Sequence, residues 1–92
     1  MSNHVRELGD IDFTISAPSG IVWKTMPDTH SVVDHILKNH YHIFKMFDRF
    51  AIKLDDDTPI DVTVTGMQYI EKSALVGWIS PRTIIRIHVF VK

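Results

Sequence analysis

The sequence contains no cysteine. Disulfide bonds, thiolate catalysis and cysteine-based zinc sites are therefore excluded, and this composition suits a reducing compartment. No apolar run approaches the ~20 residues that a bilayer-spanning helix requires. The first ten residues, MSNHVRELGD, are too polar for a secretory signal. We therefore expect a soluble cytoplasmic protein that has no membrane partner.

The chain also lacks an excess of charge of either sign. Ten Lys and Arg residues stand against eleven Asp and Glu residues, which gives a formal net charge of −1. This balance argues against a generally basic nucleic-acid coat protein, so an electrostatic function requires local segregation of charge. With 92 residues, 45% of them hydrophobic, we expect a single domain over 1–92. Residues 1–9 carry few apolar side chains and are expected to form a loose arm.

Hydrophobic periodicity predicts an α+β fold of the order ββαβββ. The alternating DIDFTIS and the run IVWKTM, joined by the turn APSG, predict a hairpin over 10–26. Asp28 or Thr29 is the expected N-cap of one long amphipathic helix that ends near 48–51. Later alternating segments, the last over 83–91, complete an antiparallel sheet of about five strands. The helix is expected to pack on one face of this sheet.

The predicted helix has two different faces. At about 100° per residue, an arc of roughly 80° holds His35, Lys38, His42, Lys45 and Arg49. The opposite arc is mainly apolar and holds Val33, Ile36, Leu37, His40, Phe44 and Phe47. The helix contains no Glu to pair with these cations. Two interpretations stay open: a solvated outer face, or a surface that binds phosphate backbone or an acidic protein patch. Tyr41, at the boundary of the stripe, is the helix's candidate for stacking on bases.

A second basic feature belongs to the last predicted strand. Arg86 and His88 share one face of it, and Arg82 precedes it. This face is exposed either to solvent or to a partner. The candidate partner-binding or nucleic-acid-binding residues are therefore His35, Lys38, His42, Lys45, Arg49, Arg82 and Arg86.

The six histidines do not indicate a metal site. On a helix His40 and His42 point about 200° apart, and His35 is too far from His42 to share one ion with it. The chain has no Gly-x-Ser-x-Gly elbow and no Gly-rich phosphate loop. Asp10 and Asp12 share a strand face, but near an exposed terminus. We therefore predict no enzyme activity, no catalytic residue, no cofactor, no metal and no small-molecule substrate.

In general character, over all 92 residues, the chain resembles the small phage-encoded inhibitors, above all the anti-CRISPR proteins of the type I-F kind. That group shares no signature motif, so the resemblance assigns no functional residue by position. It implies a non-enzymatic inhibitor in the host-cell cytoplasm. Such a protein docks on an RNA-guided CRISPR surveillance complex, through effector proteins and possible guide-RNA contacts, and blocks target DNA binding.

Two other functions stay open at this point. One is a small nucleic-acid-binding regulatory module that uses the basic helix face. The other is a structural phage protein that oligomerises through an exposed edge strand at 83–91.

Overall fold

A computed structural model describes residues 5–39 and 42–91. In these residues the chain forms one helix and six strands, so the α+β class and the single helix are confirmed. The predicted order ββαβββ is wrong, and the observed order is βαβββββ. The elements are β1 (Asp10–Ser16), α1 (Thr29–Asn39), β2 (Ile43–Lys45), β3 (Arg49–Lys53), β4 (Pro59–Gln68), β5 (Val76–Trp78) and β6 (Ile84–Val89).

The strands form two sheets rather than one. The larger sheet has the strand order β3-β4-β1-β6, and the smaller one pairs β2 with β5. β1 runs antiparallel to β4 and parallel to β6, so the expected purely antiparallel sheet is corrected to a mixed one. A parallel neighbour requires a long connection, and here everything between β1 and β6 serves as that connection.

The predicted hairpin over 10–26 does not form, because both edges of β1 are already occupied by β4 and β6. The turn itself is present, since the Ile21 amide donates to the Pro18 carbonyl at 3.0 Å. The chain beyond it is irregular up to residue 28. It is fixed to the larger sheet by Trp23, whose indole N–H donates to the Pro59 carbonyl at 2.8 Å.

Asp28 caps the N-terminus of α1, as the sequence predicts. Its carboxylate accepts from the His30 amide at 3.2 Å and from the Ser31 hydroxyl at 3.0 Å. Its own carbonyl accepts the first helical bond, from the Val32 amide. A side chain of this kind satisfies backbone donors that the first turn leaves unpaired.

The helix is shorter than predicted and ends at Asn39 rather than near 48–51. Asn39 donates its side-chain amide to the His35 carbonyl at 2.9 Å, and the His42 ring N–H donates to the Leu37 carbonyl. His42 has a φ of 65°, a left-handed conformation that is common just after a helix. The following residues Ile43 and Phe44 are β-branched and aromatic and form β2 together with Lys45, so tertiary pairing overrides the helical periodicity.

One core lies on the inner face of the larger sheet. The alternating residues of β1 and β4 are fully buried there, and α1 adds Val32 and Ile36. At its centre the Phe13 ring meets Phe44 edge-on at 5.2 Å and Phe50 at 6.4 Å. Such aromatic pairs stabilise a core beyond their buried area. The predicted core residue Phe44 is confirmed, whereas Phe47 is 72% exposed.

The expectation of a loose arm over 1–9 does not hold for residues 6–8. The Leu8 amide donates to the Trp78 carbonyl at 2.9 Å, and the Trp78 amide donates to the Arg6 carbonyl at 3.0 Å. Leu8 is 1% exposed and lies over Gly77, where an added Cβ would approach Leu8 Cδ2 to 2.3 Å. Residues 6–8 therefore extend the smaller sheet beside β5. Residues 1–4 lie outside the described part of the chain, as do His40 and Tyr41.

The substitution Phe13→Ala tests the aromatic core. Removing a fully buried ring is expected to lower the free energy of unfolding by about 3–5 kcal/mol, which is measurable by urea unfolding followed by circular dichroism. Ile70→Ala is the control, because Ile70 is 87% exposed and its truncation should change stability by less than about 0.5 kcal/mol. A loss at Phe13 no larger than that at Ile70 would contradict this packing.

Candidate partner-binding surface

The five binding residues predicted on the helix do not form one stripe, because the helix ends at Asn39. Of all seven predicted binding residues, two lie on α1, and the others lie just before β2, at its end, at the start of β3, in the turn before β6 and in β6 itself. In chain order these residues are His35, Lys38, His42, Lys45, Arg49, Arg82 and Arg86.

His35 and Lys38 border a polar hollow that also contains acidic side chains. The hollow lies between α1 and the β3–β4 turn, and its carboxylates are those of Asp28, Asp34, Asp55 and Asp56. Aspartate carboxylates of the same chain oppose the attraction of an incoming phosphate. The hollow is therefore a poorer phosphate-binding surface than the predicted basic stripe.

His42 has a structural task at the end of α1. Its ring is bonded to the Leu37 carbonyl, and its own carbonyl accepts from the Ile79 amide at 2.8 Å. The side chain is only partly exposed. His42 therefore joins α1 to the segment after β5.

Arg82 and Arg86 are paired within the molecule. Arg82 lies 2.9 Å from a carboxylate oxygen of Glu7, although its own side chain is 84% exposed. A hydrogen bond from Ser80, together with Arg82, lowers the pKa of Glu7. An exposed ion pair of this kind contributes little stability, so Arg82 can exchange Glu7 for another acidic group at little cost.

A charged cluster occupies the outer face of the larger sheet, opposite the core. Arg86 Nε lies 2.8 Å from Asp12 Oδ1, and the His88 ring lies 2.9 Å from the same oxygen. A second Arg86 nitrogen lies 3.1 Å from Asp10. The hydrogen bond from Arg86, followed by that from His88, holds the pKa of Asp12 below its usual range against the opposing effect of burial. Asp12 is therefore a charged acceptor that ties β1 to β6.

Gly66 makes room for this cluster. It lies opposite Asp12 in the β1–β4 pair, at a β-bulge. A Cβ at this position would approach Asp12 Oδ2 to 2.6 Å. The small residue thus lets the carboxylate lie against the β4 backbone while it reaches across to β6.

The substitution Asp12→Asn is expected to destabilise the protein at pH 7 and to lose this effect in acid. A carboxylate whose pKa is lowered by folding stabilises the fold above its unfolded pKa, and this stability is lost as the pH falls through the folded pKa. The difference in urea midpoint between wild type and variant should therefore be largest near neutral pH and shrink below about pH 4.

Asp34→Asn is the matched control for this pH series, because Asp34 is exposed and forms no salt bridge within the described chain. Equal midpoint differences for the two variants, or a difference at Asp12 that does not change with pH, would contradict the role of the cluster.

A different surface combines cations with an exposed aromatic ring. Lys45, Phe47 and Arg49 surround the turn between β2 and β3, and all three are exposed. Phe47 is 72% exposed and has a φ of 66°. Large L-residues rarely adopt this conformation, which costs on the order of 1–2 kcal/mol. A strained residue that displays an apolar ring to solvent points to a functional role.

Hydrogen bonds hold this turn rigidly. The Asp48 carboxylate accepts from the Lys45 amide at 2.9 Å, and the Asp48 amide donates back to the Lys45 carbonyl at 3.1 Å. The Phe47 amide donates to the Val64 carbonyl at 3.0 Å, and the Val64 amide donates to the Asp48 carbonyl at 2.8 Å. A turn fixed in this way loses little conformational entropy on binding.

The outer face of the smaller sheet continues this surface. Ile43 pairs with Trp78 across the β2–β5 ladder, and their exposed fractions are 51% and 37%. Leu75 is 77% exposed. Its backbone carbonyl accepts a hydrogen bond from the Met46 amide at 2.9 Å, which places Leu75 beside the turn between β2 and β3. We name this set the corner surface: Ile43, Lys45, Phe47, Arg49, Leu75 and Trp78.

Sequence reasoning found Lys45 and Arg49 but placed Phe47 in the core. The error follows from reading 29–49 as one helix, on which Phe47 falls opposite the cations. The available signal was the spacing of Lys45, Phe47 and Arg49 at every second position, which is the period of a strand. Asp48 is also a residue type that favours turns.

The substitution Phe47→Gly tests the strain in this turn. Glycine adopts a positive φ without steric cost, so the free energy of unfolding should stay unchanged or rise by up to about 1 kcal/mol. Phe90→Gly is the matched control. Phe90 is also an exposed phenylalanine, at 55%, but it is not among the residues of the described chain that have a positive φ. That control should destabilise the edge of the sheet, and a clear loss of stability for Phe47→Gly would contradict the assignment of strain.

Within residues 5–39 and 42–91, no group of three or more metal-ligating side chains is placed to hold an ion. In the same part of the chain no helix has the length and apolar character needed to cross a membrane. No model of a known protein family matches the chain, and a search of curated proteins finds no similar sequence.

Proposed function

We propose that this protein is a non-enzymatic binding protein whose main contact is the corner surface. The observation that supports this most is Phe47, whose backbone is strained and whose exposed ring lies between two exposed cations, Lys45 and Arg49. Aromatic and arginine side chains dominate the energetics of binding surfaces. Exposed Ile43, Leu75 and Trp78 add apolar area beside them, and clustered apolar exposure marks interaction sites.

The chemistry of the corner surface fits a partner that contains both nucleic acid and protein. Phe47 can stack on an unpaired base while Lys45 and Arg49 neutralise the adjoining phosphates. Stacking is worth about 1–3 kcal/mol per base, and two phosphate contacts on a single strand give a salt slope of only about −1.4. A dissociation constant of 1 mM already requires about 4 kcal/mol, so the apolar part must supply most of the affinity from a protein surface.

We therefore place the partner among nucleoprotein complexes rather than free nucleic acids. On the basis of the resemblance, the proposed target is an RNA-guided CRISPR surveillance complex in the cytoplasm of a phage host. Docking there through effector protein and exposed guide RNA would block target DNA binding. The net charge of −1 supports this assignment, because a free nucleic-acid binder normally carries a basic excess.

Direct binding to RNA or DNA is the second candidate, and the position of Phe47 between two cations favours it. It predicts a gel shift with single-stranded RNA or DNA at low salt. It also predicts that log affinity falls linearly with log salt. An absence of any shift at low salt eliminates this alternative and leaves the proposed complex intact.

The double substitution Lys45→Glu with Arg49→Glu tests the proposal. We expect it to weaken binding to a purified type I-F surveillance complex at least about tenfold, since each rim or interface cation contributes on the order of 1 kcal/mol. Binding would be measured by biolayer interferometry and inhibition by the loss of target DNA binding in a gel shift. Urea unfolding checks that the variant is folded.

The matched control is Lys24→Glu with Lys53→Glu, which makes the same charge change at exposed positions outside the corner surface. It should bind like wild type. Equal affinities for the two double variants, or no binding of the wild type to the complex, would overturn the proposal. An affinity pull-down from host lysate with mass spectrometry would then identify the class of partner.

A further inference from the structure

β6 forms one edge of the larger sheet, and its backbone is available there. Ile84 donates its amide to Gly9 and Phe90 donates to Ile15, so the even-numbered residues direct their backbone groups toward β1. Because these directions alternate along a strand, Ile85, Ile87 and Val89 direct theirs toward the free edge. No strand of the described chain pairs with that edge.

The two edges of the sheet differ in their protection. The β3 edge carries Arg49 and Lys53 at its two ends, and cations of this kind discourage pairing with another strand. β6 is six residues long and contains no Lys, Pro or Gly, and its ladder with β1 runs in unbroken register. Its one arginine, Arg86, is ion-paired with Asp12 and Asp10 of the same copy, so it opposes strand pairing less than an unpaired cation would. An edge of this length is a template for pairing.

The sequence around β6 is self-complementary about Ile87. Reading outward from this residue, Arg86 corresponds to His88, Ile85 to Val89 and Ile84 to Phe90. Two antiparallel copies related by a two-fold axis at Ile87 would therefore place basic against basic, β-branched against β-branched and large apolar against large apolar. A symmetric dimer requires a surface that matches itself in this way.

On each face of the paired strands, apolar side chains of one copy would contact apolar side chains of the other. Ile84 and Phe90 are 59% and 55% exposed on the outer face, and each would cover its counterpart in the second copy. On the inner face Ile85 borders an open apolar hollow with Leu37 and Ile79, where Val89 of the second copy would be added. This alternation keeps every side chain on its present face, which a shift by one residue would reverse.

The charges opposite one another are already compensated. Arg86 of one copy would face His88 of the other, and like charges directly opposite one another destabilise a strand pair. Within each copy, however, both side chains contact Asp12, and Arg86 also lies 3.1 Å from Asp10. The alternative axis at Arg86 would bring two arginines together and is disfavoured.

We propose that a second copy of this chain docks on β6, antiparallel and with Ile87 on the two-fold axis. The two four-stranded sheets then form one continuous sheet. Hydrogen bonds between the free backbone groups of Ile85, Ile87 and Val89 hold the copies together. Two members of the corner surface, Ile43 and Trp78, line the same hollow as Ile85, so the proposed interface adjoins the corner surface of each copy.

A cysteine pair tests the register, because the chain itself contains no cysteine. In this arrangement Ile84 and Phe90 of different copies form a pair without mutual hydrogen bonds, with Cα atoms about 4.5 Å apart, which suits a disulfide. The variant Ile84→Cys with Phe90→Cys should give a covalent dimer on oxidation. Within one copy the two positions are about 20 Å apart along the strand, so they cannot bond to each other.

The control Ile84→Cys with Ile70→Cys carries the same number of thiols, and Ile70 is an 87% exposed isoleucine outside β6. It should remain largely monomeric at the same protein concentration. Equal yields of dimer from the two variants would overturn the register, because cross-linking would then not depend on the partner position.

Sedimentation velocity over a concentration series measures the association without a cross-link. Wild type should form a reversible dimer, Ile84→Lys should raise its dissociation constant at least about tenfold, and Ile70→Lys should leave it unchanged. A dissociation constant of 1 mM corresponds to only about −4 kcal/mol of association free energy. A wild-type protein that stays monomeric up to about 1 mM would therefore overturn the proposal. Monomeric protein whose binding to the surveillance complex is abolished by Ile84→Lys would instead assign the edge to a strand of that partner.

Discussion

The double pairing of β1 is the constraint on which the rest of the structure depends. β1 is hydrogen-bonded to β4 on one side and to β6 on the other, and its Ile11, Phe13 and Ile15 have no exposed surface. Burying each such side chain is worth about 1.5–3 kcal/mol. Because the central strand comes first in the chain, every later element is placed around it. The Asp12 contacts on the opposite face then hold β6 in register.

This arrangement also explains how the corner surface arises. Phe44 is drawn into the core beside Phe13, so the chain has to turn sharply before β3 joins β4. Hydrogen bonds to Val64 fix that turn and leave Phe47 outside in a left-handed conformation. The core thus sustains the strain, and the exposed ring with its neighbouring cations is preorganised. The β6 edge arises from the same topology, because no further strand of the described chain is placed beyond it.

The sequence predicts local features of this fold better than it predicts their partners. The alternation of β1 and β6 and the capping role of Asp28 are visible because they depend on neighbouring residues alone. The length of α1 cannot be predicted from the sequence in this way, since residues 43–45 fit a helical period but pair with β5. The hairpin fails for a similar reason, as β6 takes the edge that residues 21–26 would need. In the candidate site, the charges of Lys45 and Arg49 can be predicted from the sequence. The exposure of Phe47 cannot, because it depends on the long-range hydrogen bonds between the turn and Val64.

The most direct test of the central claim is hydroxyl-radical footprinting of the protein, free and bound to a purified type I-F surveillance complex. We expect Phe47, Leu75 and Trp78 to be oxidised in the free protein and protected in the complex. Val22 and Ile70, which are 89% and 87% exposed, serve as internal standards and should stay reactive. Protection confined to α1, with Phe47 equally reactive in both states, would contradict the account.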